Sequence, residues 1–208
     1  MSLEFTILSL LRLVGVLLVS VILHEIMHGL VAYKLGDDTA YLSGRLTLKP
    51  WRHIDPFGTI LLPVMLFAIG LPPFGAAKPV PVDFRKLKFD EFGMALVAIS
   101  GPLTNLALAS ALAIFYRFGV GVVPELLLDL ARFAITINLS LFVFNMIPFP
   151  PLDGSRLLYA LAPEPVQDFM KVIESMGLMS IIFFMFLIFP LLRPALVESV
   201  LILENILF

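Results

Sequence analysis

Val21-Ile-Leu-His-Glu-Ile-Met-His-Gly-Leu-Val31 decides how this chain must be read. Three ionisable residues, His24, Glu25 and His28, interrupt a run that is otherwise apolar from Phe5 to about Leu35, apart from Arg12. On an α-helix residues i and i+4 share a face, so His24 and His28 point the same way, one turn apart. Glu25 stands beside the first of them. In a lipid-embedded helix each ionisable group costs roughly 2.5–3.5 kcal/mol on insertion scales, and that cost demands a compensating partner. A metal ion is one. The pattern H-E-x-x-H offers two imidazole nitrogens to a single ion and a carboxylate that reaches a metal-held water without being a ligand. Zinc accepts such ligands and is usually four-coordinate.

The rest of the composition agrees with a bilayer. The 208 residues are 60% hydrophobic and 14% charged, with a mean hydropathy of +1.01, where a soluble domain is nearer half apolar and a quarter charged. Net charge is −2, with no basic stripe, so nucleic acid is not a partner. Cysteine is absent, so any metal is held by His, Asp or Glu, and the histidines are His24, His28 and His53. The first apolar run lacks a positively charged lead and a small-residue cleavage site, and reads as a retained span rather than a signal peptide.

The chain reads as one integral membrane domain, residues 1–208, all-α and polytopic, with four to six transmembrane helices. Spans are expected at about 5–35, 93–116, 126–149 and 178–197. Thr39 to Leu48 reads as a short β-hairpin around Ser43-Gly44. Lys78-Pro-Val-Pro-Val82 cannot be helical. Phe57 to Leu71 is apolar but short, and is broken by Pro63 and Gly70. Lysine and arginine gather in 34–56, 78–88 and 152–176, and the positive-inside rule puts all three on the cytoplasmic side. Segments 34–56 and 78–88 share that side only if 57–71 is re-entrant, entering and leaving by one face; the alternative is a full short crossing that leaves one basic loop on the opposite side.

Two histidines are too few for a catalytic zinc, which takes three protein ligands and leaves the fourth position to water. Candidates for the third are His53, Asp37, Asp38, Asp55 and Asp153. The re-entrant topology favours Asp153. The first span runs inward, the second outward, and the third returns to deliver Asp153 to the side where His24 and His28 lie. Gly154 is expected to permit a tight turn beside that carboxylate.

Both motifs together resemble the site-2 protease family, the zinc intramembrane metalloproteases. Its pattern of HExxH on one span and N-x-x-P-x-P-P-L-D-G after another is met by His24-Glu25-x-x-His28 and by Asn145-x-x-Pro148-x-Pro150-Pro151-Leu152-Asp153-Gly154. Gly101-Pro102-Leu-Thr-Asn105 is similar to the family's Gly-Pro…Asn element. The resemblance covers roughly residues 5–175 and implies one Zn²⁺ per chain held by His24, His28 and Asp153. It also implies Glu25 as general base and Asn105 near the site, where it could donate to a developing oxyanion. The 39–48 stretch would be the β-structure against which an extended substrate pairs. Neither a PDZ domain nor nucleotide-sensing repeats are seen, so the chain resembles a minimal branch.

The activity expected is hydrolysis of peptide bonds in or near transmembrane segments of membrane proteins, with the active site toward the cytoplasmic side. The partners are then a membrane-protein substrate and the bilayer, with room for a homo-oligomer. The rivals are a non-catalytic metal-binding membrane transporter or scaffold. A transporter would favour repeat symmetry, and the sequence has no repeat. His53 reads as a solvated loop residue, and Asn138 and Asn145 as interhelical glue and a turn cap.

Overall fold

Long apolar runs satisfy their backbone internally as helices, the only open-ended solution in lipid. The computed structural model describes residues 3–55 and 78–208, and the described residues are helical or irregular, without a strand. Helix α1 is Leu3–Lys34, and a single turn, α2, is Thr39–Leu42. Helix α3 is Asp90–Gly119 and α4 is Glu125–Asn145. Two amphipathic helices follow, α5 at Asp153–Leu161 and α6 at Glu164–Ser175. The last long element is α7, Leu178–Phe183, continued through a π-turn at Phe184–Ile188 into α8, Phe189–Leu207.

Four of these are long and apolar enough to cross a membrane, Leu11–Lys34, Asp90–Gly119, Glu125–Asn145 and Leu178–Leu207. The protein is an integral membrane protein with four candidate spans. Helix α3 is the central element and packs against α1, α4 and α5. Ala109 and Ala113 of α3 meet Ile135 and Leu139 of α4, with Val200 and Leu203 of α8 packed on them. Small residues at that seam let the backbones approach closely, as lipid-embedded helices require. A second cluster, Ala32, Leu87 and Val97, ties the end of α1 to the start of α3.

The hairpin expected at 39–48 is not formed. The carboxylate of Asp37, fully buried, accepts from the Thr39 amide at 3.0 Å and from its hydroxyl at 2.5 Å. That local capping starts a helical turn, and Arg45 N–H closes it on Ala40 O at 3.0 Å. The re-entrant segment expected at 57–71 lies outside the described residues. Its flanks do meet: Lys78 N–H donates to His53 O at 2.9 Å, and Lys88 N–H to Leu35 O at 2.8 Å. The end of α1 and the start of α3 therefore stand together.

Candidate metal centre

Three elements converge on one point. Helix α1 brings His24 and His28 on one face, α3 passes behind them, and the turn after α4 delivers Asp153 at the start of α5. His24 Nε2 and His28 Nε2 are 2.9 Å apart. Asp153 Oδ2 is 3.1 Å from the first and its Oδ1 is 3.4 Å from the second. Tetrahedral zinc with ligand bonds near 2.0–2.1 Å holds its ligand atoms about 3.3 Å apart, so the spacing suits one small cation. Among the described residues this is the group of His, Asp or Glu side chains with metal-binding geometry.

The far sides of both rings fix how they present themselves. His24 Nδ1–H donates to Asn105 Oδ1 at 2.6 Å, and His28 Nδ1–H donates to Val97 O at 2.8 Å. With each Nδ1 occupied as a donor, both Nε2 atoms offer lone pairs to the same spot, the outer-sphere arrangement that orients metal-binding imidazoles. Asp153 Oδ2 is buried and accepts no hydrogen bond. Nature leaves such an atom orphaned rarely; here a cation would satisfy it. Burial opposes ionisation of Asp153, but the adjacent imidazoles of His24 and His28 outweigh it and lower the carboxyl to about 2. It is therefore ionised at neutral pH, as a ligand must be.

Space at the centre depends on glycine. A Cβ on Gly101 would fall 2.4 Å from His28 Nε2 and 2.6 Å from His24 Nε2, so only glycine lets α3 back the imidazoles this closely. Gly154 serves a related need. Its φ is not in the left-handed region, so the expected turn conformation is not its reason. A Cβ there would lie 2.3 Å from Met146 O and 2.7 Å from Ile147 O, which is what holds Asp153 tight against the end of α4.

Glu25 lines a cavity of about 610 Å³ together with His24, His28, Asp153, Asn145 and Arg156. Its Oε2 accepts from Val80 N–H at 2.7 Å. Val80 belongs to the proline-pinned strap 78–83, which forms one wall of that cavity. The strap is anchored at both ends by buried polar groups. Arg45 donates to Lys78 O at 2.7 Å, His53 O takes the Lys78 amide, and Asp37 Oδ2 takes the Asp83 amide at 2.8 Å.

Among the third-ligand candidates, Asp37 and His53 thus hold the strap. Asp38 pairs with Lys86 on the surface at 2.7 Å, and Asp55 lies outside the convergent group. The expectation of a solvated His53 is corrected: it is 1% exposed, and its Nε2–H donates to Thr47 O at 2.7 Å. Asn105 is fully buried and both ends of its amide are engaged, Oδ1 by His24 and Nδ2 as donor to Asn138 Oδ1 at 3.0 Å. Asn145 Nδ2 caps Leu141 O at 3.0 Å. Sequence reasoning missed Val80, Arg45 and Arg156, and weighed Asp37 as a metal ligand rather than as an anchor of the strap. The Pro-x-Pro frame around Val80 was the available signal, since it leaves that residue as the one amide donor between the two prolines.

Comparison with known proteins adds an independent line. The model of "Peptidase family M50" matches residues 122–189. Three relatives each bear the name "Putative zinc metalloprotease". YwhC of Bacillus subtilis is 42% identical over 186 residues, covering 86% of this chain and 81% of that protein. Rip2 of Mycobacterium tuberculosis is 35% identical over 144 residues, covering 68% of this chain and 53% of that protein. MJ0611 of Methanocaldococcus jannaschii is 34% identical over 140 residues, covering 66% of this chain and 63% of that protein. The chain thus spans most of YwhC but only about half of Rip2. No solved structure matches.

Proposed function

Because the chain belongs to peptidase family M50, the site-2 protease family of zinc metalloproteases, we propose that it is an intramembrane endopeptidase. It cuts peptide bonds in or near the transmembrane segments of membrane proteins, at one Zn²⁺ held by His24, His28 and Asp153. The observation that carries this reading is the convergence of two Nε2 lone pairs and an orphaned carboxylate oxygen on one point, beside a glutamate in an open cavity. The active site faces the side that carries Lys34, Arg45, Lys49, Arg85, Lys86 and Lys171, which the positive-inside rule makes cytoplasmic.

Zinc would polarise the scissile carbonyl and make a coordinated water acidic near neutral pH. Glu25 takes the water's proton on its carboxylate and later gives it to the leaving amine. The Val80 amide steadies Oε2 while Oε1 makes no hydrogen bond among the described residues. Asn105 acts as a positioning residue: its Oδ1 holds the His24 ring, and one of its two Nδ2 hydrogens goes to Asn138. The substrate must unwind locally, which Gly, Pro or Asn near the cut eases, and unwound backbone needs new partners. The 78–82 strap supplies them in place of the 39–48 stretch. It stands at the cavity wall with its carbonyls at Pro79 and Val80 unbonded among the described residues, and a peptide pairs with such an edge.

Glu25→Gln tests the assignment. In co-expression with a tagged single-span protein carrying a Gly-Pro pair in its helix, the parent should release a shorter product. The variant should release none, yet keep its zinc. Undiminished cleavage by the variant would remove Glu25 as the base, and zinc transport that survives the substitution would favour a carrier.

A further inference from the structure

A second cavity, of about 930 Å³, lies on the half of the molecule remote from the metal. It is a groove between α1 and α4, floored by α3. Among the described residues its walls are apolar except at two places: Arg12 stands at one end, and Ser20 and Asn138 at the other. Asn138 is 2% exposed and bonded to Asn105, which holds His24. The groove therefore runs from the far surface to within two side chains of the metal centre.

Its dimensions match one leaflet. At 1.5 Å per residue, Arg12 and Lys34 are about 33 Å apart along α1, close to the roughly 30 Å of a bilayer core, so each sits at one interface. Along α4, Leu127 to Asn138 spans about 16 Å, near half of that core. Arg12 is half-buried and has no ion pair or hydrogen bond among the described residues, although it is the one charged residue lining the groove. A guanidinium at headgroup depth, above an apolar slot one leaflet deep, fits a phosphate with an acyl chain beneath it. In a membrane such a slot is filled by something, and the lone cation favours a lipid over an uncharged helix face.

We propose that the groove between α1, α3 and α4 binds one phospholipid of the leaflet remote from the metal, with its phosphate on Arg12 and an acyl chain reaching Asn138. The chain closes the groove against water, which would otherwise reach the Asn138–Asn105–His24 hydrogen bonds from the far side of the membrane.

Gly15 gives the means to test this. A Cβ there meets nothing within 4 Å, so Gly15→Leu fills the slot without disturbing its walls. The protein is reconstituted in nanodiscs of phosphatidylethanolamine and phosphatidylglycerol, released, and weighed by native mass spectrometry. The parent should retain one phospholipid per chain. Gly15→Leu should retain none above background, and Arg12→Gln about fivefold less than the parent, both with the parent's zinc content as proof of an intact fold. No lipid on the parent, or equal retention in all three proteins, would overturn the proposal. So would a parent that carries a second copy of the chain in place of lipid and loses it in Gly15→Leu.

Discussion

At the scale of single residues, the site is a matter of which atom each ring presents. His24 and His28 are useful to a metal because something else takes their Nδ1 protons, the Asn105 amide in one case and the Val97 carbonyl in the other. Outer-sphere partners of this kind typically contribute 10–100-fold to metal affinity. Asn105→Ala should therefore bind zinc about 10–100-fold more weakly in a chelator competition, with the helical circular dichroism unchanged. Unaltered affinity would mean that ring orientation does not depend on that amide. HExxH was legible in the sequence, since spacing and cost alone require a partner for three ionisable groups in lipid; Asp153 follows instead from the charge-derived topology and the second motif. The carboxamide's job was not legible. An asparagine in a span reads equally as interhelical glue, and only the distance to His24 Nδ1 separates the roles.

At the scale of elements, the strap 78–83 is the part that local reasoning could least foresee. Its prolines announced an extended run, but its place beside Glu25 depends on Asp37, Arg45 and His53, which reach its ends from 25 to 46 residues away. The same buried Asp37 that anchors the strap also accepts from the Thr39 amide, where the helical turn Thr39–Leu42 begins. A tertiary demand on one carboxylate thereby overrode the β-pattern read from alternation. Val80→Pro isolates the strap's contact with the base. Val80 already precedes Pro81 and lies outside any helix, so the substitution deletes its amide donor without breaking a regular element. Zinc content should stay at the parent's level while kcat falls about tenfold, the effect expected for losing one hydrogen bond to a charged group. An unchanged kcat would show that Glu25 needs no such support.

At the scale of the whole molecule, topology and chemistry constrain each other. The four spans were legible from hydropathy, because lipid imposes length and composition more strictly than water does; their ends were less so, the last span running to Leu207 rather than 197. Their mutual packing was not: α3 lies at the centre because its Gly101, Ala109 and Ala113 admit α1 and α4 closely, a property of depth rather than of hydropathy. Since the chain has no cysteine, single cysteines report sidedness directly. Lys49→Cys and Lys171→Cys should react with an impermeant maleimide from the cytoplasmic side only, and Val122→Cys, between α3 and α4, from the other side only. Lys49 and Lys171 on opposite sides would break the arrangement that brings Asp153 to the histidines.

That convergence is the central claim, and zinc content tests it most directly. Purified in detergent, the parent should carry about one zinc per chain, and Asp153→Ala should lose most of it while retaining its helical content. A full complement of zinc in both proteins would contradict the account, because the metal would then be held without the residue that the turn after α4 delivers to it.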